Sequence, residues 1–320
     1  LPDPPATLTL YVRTRILARL ASFRRTQYLL PTLGLNQMDN LFLGVSRMDG
    51  NTVIARILKA EGVEWMACFP NQWLIDTAAR EGIRPITCRQ ERAGVNMADG
   101  FSRINSGKKI GVFCMQRGPG AENAFGGVAQ AFADSVPLLL LPGGHERNHV
   151  GVRPNFEAVD NYRGITKWAG HINMVERIPE MMRRAFTQLK HGRRGPVLLE
   201  IPDDVGLAEF PGNTFDYTPV REYKSGADPD DVRELITALL KASCPIINVG
   251  QGVLYAEATE ELVEFVELTN IPVTTTLPGK SAFPEIHPLS LGTGAASAPL
   301  AVGHFLGKTD FILCLGTSLT

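Results

Sequence analysis

Net charge is nearly absent from this sequence: 32 lysines and arginines stand against 33 aspartates and glutamates, a formal balance of -1. That removes the positive field by which a nucleic-acid binder attracts phosphates. Long apolar runs are missing too, since no uncharged stretch approaches the roughly 20 residues needed to cross a bilayer. Cysteine is sparse and dispersed. Cys68, Cys88, Cys114, Cys244 and Cys314 include no Cys-x-x-Cys spacing, and most lie in apolar strand-like runs where a thiol packs as a small hydrophobe. A reducing, cytoplasmic setting and a small-molecule partner are expected, with no nucleic acid and no membrane.

What is present is a globular composition, 44% hydrophobic and 20% charged over 320 residues, enough for two domains. Residues 1–47 differ from the rest: they carry Arg13, Arg15, Arg19, Arg24, Arg25 and Arg47 against Asp3 and Asp39 only. Such an arginine-rich, acid-poor segment can be an organelle-targeting peptide. Met48 directly precedes a well-formed helix signal, so residues 1–47 are read as an N-terminal extension outside the fold.

From Asp49 onward helices and strands alternate. Asp49 or Asn51 can cap a helix with Val53, Ile54, Ile57 and Leu58 on one face, and Gly62 can end it. Apolar strands are expected at 63–69, 83–88, 110–115, 137–141 and 197–201, with Pro142-Gly143-Gly144 breaking the fourth. Strands that are apolar throughout, between amphipathic helices, need a parallel sheet covered on both faces. The fold class is therefore α/β: a parallel sheet flanked by helices over 48–210, a polar linker at 211–227, and an incomplete Rossmann-like central α/β domain at 228–320. That second series starts with a helix whose apolar face is Val232, Leu235, Ile236, Leu239 and Leu240.

One acidic residue sits where a strand gives way to a helix. Glu91 follows the strand at 83–88, and Ala93, Met97, Ala98 and Phe101 then recur at helical spacing. A glutamate in a first helical turn can serve the macrodipole or cap backbone donors without doing chemistry. His145-Glu146-Arg147-Asn148-His149 spells HExxH, a zinc pattern when helical. Gly143-Gly144 before it and Pro154 after it argue for a polar loop, so no metal ligands are assigned. Gly118-Pro119-Gly120 between a strand and a helix could meet an anion at free amides, but lacks the GK[ST] of a Walker loop. Gly250-Gln251-Gly252 follows a strand, yet Tyr255 holds the third glycine position of a dinucleotide fingerprint.

In combination these residues resemble a known family. Glu91 with Ala98-Asp99-Gly100-Phe101-Ser102-Arg103, then Gly118-Pro119-Gly120 with Asn123, then Ala133-Asp134-Ser135-Val136-Pro137-Leu138, Ile165-Thr166-Lys167-Trp168 and Gly195-Pro196-Val197-Leu198-Leu199-Glu200-Ile201-Pro202-Asp203-Asp204 look like thiamine-diphosphate-dependent enzymes of the acetolactate synthase type. The resemblance runs from Met48 to Thr320, covering a pyrimidine-binding domain and most of a central domain. It implies that Glu91 hydrogen-bonds N1′ of the cofactor's aminopyrimidine, favouring the tautomer that takes the thiazolium C2 proton. It also implies that Gly118, Pro119, Gly120 and Asn123 shape the cofactor side of the site, where a plain helix start is the alternative.

Departures from the family pattern limit the substrate. Cys68-Phe69-Pro70-Asn71 replaces a glycine-bearing loop, Arg117 replaces a small residue, and Glu157 stands where glutamine is usual. With Lys167, the residues Cys68, Asn71, Arg117 and Glu157 are the candidate substrate-pocket set. The implied reaction is carboligation or decarboxylation of a 2-oxo acid; another 2-oxo acid or acyl-CoA decarboxylase or lyase, or a non-catalytic binding module, are the alternatives. The Gly-Asp-Gly motif and asparagine pair that hold diphosphate and Mg2+ in this family are missing, and Ala98-Asp99-Gly100 belongs to the Glu91 helix. The chain is read as part of a longer homodimer or tetramer, inactive by itself. FAD stays open: the central domain carries it in acetolactate synthases and is empty in many relatives.

Overall fold

The computed structural model describes residues 48–69, 72–294 and 298–319. The reading of residues 1–47 and the pocket assignment of Asn71 lie outside the described residues. Helix α1 (Gly50–Ala60) starts where Asp49 accepts the Thr52 amide at 2.8 Å, and it buries Val53, Ile54, Ile57 and Leu58. Then follow β1 (Trp65–Cys68), α2 (Trp73–Arg80), β2 (Arg84–Thr87), α3 (Glu91–Ile104), β3 (Gly111–Met115), α4 (Pro119–Ala133) and β4 (Leu138–Gly144). The first half closes with α5 (Ala158–Tyr162), β5 (Trp168–His171), α6 (Ile178–Lys190), β6 (Pro196–Pro202) and the short α7 (Asp203–Gly206).

Six parallel strands in the order β2-β1-β3-β4-β6-β5 form the sheet. Strand alternation sends Cys68, Cys114, Leu139, Leu141, Val197, Leu199 and Ile201 to the layer of α1, α2 and α6. Ala67, Phe113, Met115, Leu138, Leu140 and Leu198 face α3, α4 and α5. Because all six strands are parallel, every loop that follows a strand lies along one edge, where ligands of open α/β sheets bind. That edge carries the start of α3 and of α4.

Two expectations are corrected here. Pro142-Gly143-Gly144 does not break β4: Met115 pairs with Pro142, and Gly143 and Gly144 pair with Ile201 and Pro202 of β6. Pro142 sits opposite the last residue of β3, so its missing N–H falls where that ladder is ending. The first helix of the second series, α8 (Pro229–Lys241), buries only Leu239; Val232, Leu235 and Leu240 remain exposed.

The segment between Gly212 and Asp228 has no regular structure beyond bends. After α8 come β7 (Pro245–Val249), α9 (Gly252–Ala256), α10 (Thr259–Thr269), β8 (Val273–Thr275), β9 (Ser290–Thr293), α11 (Leu300–Leu306) and β10 (Phe311–Leu315). Their parallel sheet has the order β10-β7-β8-β9 around a core that includes Ile247, Val249, Val266, Val273 and Phe283. The two sheets meet through polar contacts: Gln251 donates to the Asp134 carbonyl, Lys108 pairs with Glu257, and Arg194 lies 5.0 Å over the Tyr255 ring.

Candidate functional site

Glu91 is the first residue of α3, and close packing fixes where it stands. A Cβ on Gly94 would lie 2.3 Å from the Phe113 ring, and one on Gly111 would lie 2.0 Å from the Ala98 carbonyl oxygen. Helix and strand can approach this far only because both positions are glycine. Ser102 Oγ accepts the Gly111 amide at 2.8 Å, and Arg103 bonds Asp99 at 2.8 Å and Asp134 at 2.7 Å, tying α3 to the end of α4. The Ala98–Arg103 motif is thus the clamp that sets the helix carrying Glu91.

The Glu91 side chain does not cap its own helix. Gln90 holds the N-cap position without a side-chain bond, and Glu91 is 5% exposed with no hydrogen-bond partner for its carboxylate among the described residues. A carboxylate placed here without a protein donor leaves its acceptors open to a donor brought by a ligand. On the same edge Gly118 takes φ +60°, a conformation that favours glycine, and a Cβ there would meet nothing within 4 Å. Pro119 is the first residue of α4, and Tyr162 donates to the Ala121 carbonyl at 2.5 Å, pinning that helix start. Asn123 is exposed in the second turn of α4 and makes no capping bond. Glu91 and the Gly118 loop therefore fit the pyrimidine end of a thiamine cofactor.

The pocket candidates divide. Arg117 pairs with Asp203, joining the loop after β3 to the one after β6; burial raises the Asp203 carboxyl and the guanidinium opposes that. Glu157 accepts the Gly151 amide at 3.0 Å and faces Glu200 from the loop after β4. Cys68 and Lys167 make their contacts within the fold. The Cys68 thiol is buried in the layer opposite α3, 3.8 Å from Thr87 Oγ1, and burial pushes it up. Lys167 precedes β5, at the other end of the strands, and its ammonium donates to the Gln188 carbonyl at 2.6 Å and the His191 carbonyl at 2.5 Å. Burial, then Arg194, lowers this lysine, which caps a helix C-terminus.

Glu200 was not singled out in the sequence. It lies on the α3/α4/α5 side of β6 near the loop edge, and burial, then Glu157, then Asp160, push its carboxyl up to about 7. A single acid in the apolar run Val197–Ile201 was the available signal. The HExxH segment forms only a 3-10 turn, Arg147–His149, whose Arg147 bonds Asp204 at 2.6 Å. Among the described residues no three His, Cys, Asp or Glu converge on a metal position, so Mg2+ has no ligand set here.

Between the two sheets lies a cleft of about 910 Å³ bordered by Lys190, Arg193, Arg194, Lys224 and Tyr255. Its glycines do not form a dinucleotide cradle. Gly252 N donates to Gly316 O at 2.9 Å, and a Cβ on Gly250 would lie 2.2 Å from that oxygen. The glycines serve the contact between the loops after β7 and β10 instead.

Two family models match the chain: the thiamine pyrophosphate enzyme N-terminal TPP binding domain over residues 48–167, and the thiamine pyrophosphate enzyme central domain over residues 232–320. Together they take in well over half of it. The chain belongs to the thiamine pyrophosphate enzymes. It is 31% identical over 283 residues to the acetolactate synthase large subunit of Haemophilus influenzae, covering 85% of this chain and 49% of that protein. It is 32% identical over 279 residues to the probable acetolactate synthase large subunit of Methanocaldococcus jannaschii, covering 84% and 47%. With the acetolactate synthase large subunit of Cyanidium caldarium the identity is 35% over 246 residues, covering 73% and 41%. The chain spans about half the length of these relatives. Among the described residues no helix is long and apolar enough to cross a membrane.

Proposed function

We propose that this thiamine pyrophosphate enzyme is the pyrimidine-activating part of an acetolactate synthase-like carboligase or decarboxylase acting on a 2-oxo acid. The observation that carries the reading is Glu91, a largely buried residue on the loop edge of the first sheet whose carboxylate has no hydrogen-bond partner among the described residues. When bound, the thiamine cofactor supplies a carbon nucleophile that adds to the 2-oxo group. Glu91 would hold the proton at N1′ of the aminopyrimidine. The Gly118 loop would lie against the ring, and the glycine-mediated packing of α3 on β3 would keep water from the glutamate. The Mg2+ and diphosphate ligands belong to a domain outside this chain in the proposal, and no flavin step is included.

The relatives' names support a 2-oxo acid substrate. The charged Arg117 and Glu157 at the same edge keep another 2-oxo acid, or an acyl-CoA, as the alternative substrate. Self-association as a homodimer or tetramer is part of the proposal, supported by exposed apolar side chains on α3 and α4, Ile104 at 82% and Phe132 at 40%. A cytoplasmic setting is likewise proposed, on five free cysteines.

The test uses the full-length protein with thiamine diphosphate, Mg2+ and a panel of 2-oxo acids. Glu91→Gln should lower turnover by roughly 10²-fold or more while the circular dichroism spectrum is unchanged. Deuterium exchange at the cofactor's thiazolium C2 should slow in parallel. Near-wild-type exchange and turnover in Glu91→Ala would remove Glu91 from the mechanism.

A further inference from the structure

The outer edge of the first sheet is strand β5, and no described strand pairs with its far side. Lys167 N bonds Pro196 O at 2.8 Å, and β5 continues in parallel register with β6. Ile172 N bonds Glu200 O at 3.0 Å in the register that sets His171 against Glu200, so the peptide groups of Trp168 and Gly170 face β6 and those of Ala169 and His171 point outward. The Trp168 indole lies over Gly170, where a Cβ would come within 2.7 Å of it, so no side chain of Gly170 shields this stretch of edge.

A groove of about 310 Å³ runs along the edge. Val159 and Arg163 wall it on the α5 side, and Arg177, Met181 and Arg184 wall it on the α6 side. It therefore has the geometry of a slot for one more strand, flanked by helices on both faces. Its charge is positive. Arg184 stacks 4.9 Å over Trp168 and bonds no carboxylate among the described residues, whereas Arg163 and Arg177 pair with Asp160 and Glu180 on the rim. The exposed His171 adds a fourth nitrogenous side chain.

We propose that this edge is a docking slot for an extended, acidic segment of a partner protein, which adds beside β5 as a seventh strand. Main-chain bonds to Ala169 and His171 supply the affinity, and the three arginines select the sign of charge. The same charge argues against two other occupants. Residues 1–47 of this chain carry six arginines against two aspartates, and a second copy would bring an identical cationic edge. Arginines can also protect an edge from adventitious pairing; in that case the slot repels strands of every sequence. The inference does not rest on the thiamine reading, because β5 is remote in strand order from Glu91.

The test is binding of a labelled Glu-Val-Glu-Val-Glu-Val-Glu peptide to the full chain, read by fluorescence anisotropy, with hydrogen exchange mapped by mass spectrometry. The acidic peptide should bind about tenfold or more tightly than its Gln-for-Glu version, and N-methylation on the bonding side of its valines should cost a similar factor. Amide exchange at Ala169 and His171 should slow on binding. Arg184→Glu and Arg163→Glu, both at exposed positions, should each weaken binding by about tenfold. Equal binding of the glutamine peptide, equal binding of the N-methylated peptide, protection elsewhere than β5, or no binding at all would each overturn the proposal.

Discussion

Replacing Glu200 by glutamine isolates the cost of holding an acid in β6. Its carboxyl is shifted from 4.5 to about 7, first by burial and then by Glu157 and Asp160. The shape of the site allows little relief, since Gly144, whose Cβ would stand 2.8 Å from Glu200 Cγ, presses backbone against the side chain. A carboxyl raised in the folded state favours folding when protonated. Its contribution is complete below 4.5 and is lost as pH climbs through about 7. The slope is about 1.4 kcal/mol per pH unit across that window, so roughly 3 kcal/mol separates the two ends. Glutamine keeps the shape and never ionises. Urea unfolding at pH values from 4.5 to 8 should therefore find the variant close to wild type at the acid end and more stable by about 3 kcal/mol at the alkaline end. Parallel stability profiles for the two proteins would refute the claim that Glu200 carries the burden, and would place the acid in a wetter position than the packing around Gly144 indicates.

Gly94→Ala should destabilise the fold by about 1–3 kcal/mol in the same assay, because its Cβ enters the space of the Phe113 ring; it should also weaken thiamine diphosphate binding, since α3 must move and Glu91 moves with it. Lys167→Met should cost about 1–3 kcal/mol by leaving the Gln188 and His191 carbonyls without their donor, yet leave KM for the 2-oxo acid unchanged, which separates a helix cap from a substrate contact.

The alternation of apolar strands and amphipathic helices was legible because a parallel sheet with two covered faces demands it, and α1 through β6 follow that pattern. Pro142 misled because its effect depends on which neighbour its peptide faces, and that is settled only when β3 ends at Met115. Glu91 could be chosen from its place between strand and helix, but its lack of a capping bond is a property of three dimensions. Lys167 shows the converse: a lysine in a motif suggests a ligand contact, while its reach across to the end of α6 depends on a pairing of segments that are distant in sequence. Glu200 was hidden by its surroundings. A lone acid in an apolar strand is normally discounted as solvent-facing, and only the arrival of Glu157, Asp160 and the Gly144 backbone on the same side makes its charge matter.

The same reasoning orders the roles within the Ala98–Arg103 motif. Ser102 and Arg103 spend their polar atoms on Gly111, Asp99 and Asp134, while Asp99 bonds Arg103 through one carboxylate oxygen and its other, buried oxygen has no partner among the described residues. Glu91, two turns upstream on the same helix, has no hydrogen-bond partner for its carboxylate among the described residues, although the residue is only 5% exposed. Evolution of a merely structural helix start would favour Ser, Thr, Asp or Asn at the cap, where a side chain satisfies backbone donors. Here Gln90 occupies the cap without a side-chain bond, and the acid lies one residue later. The arrangement gives up local stability at this turn and retains a hydrogen-bond acceptor, which is the trade expected where the chain must receive a ligand.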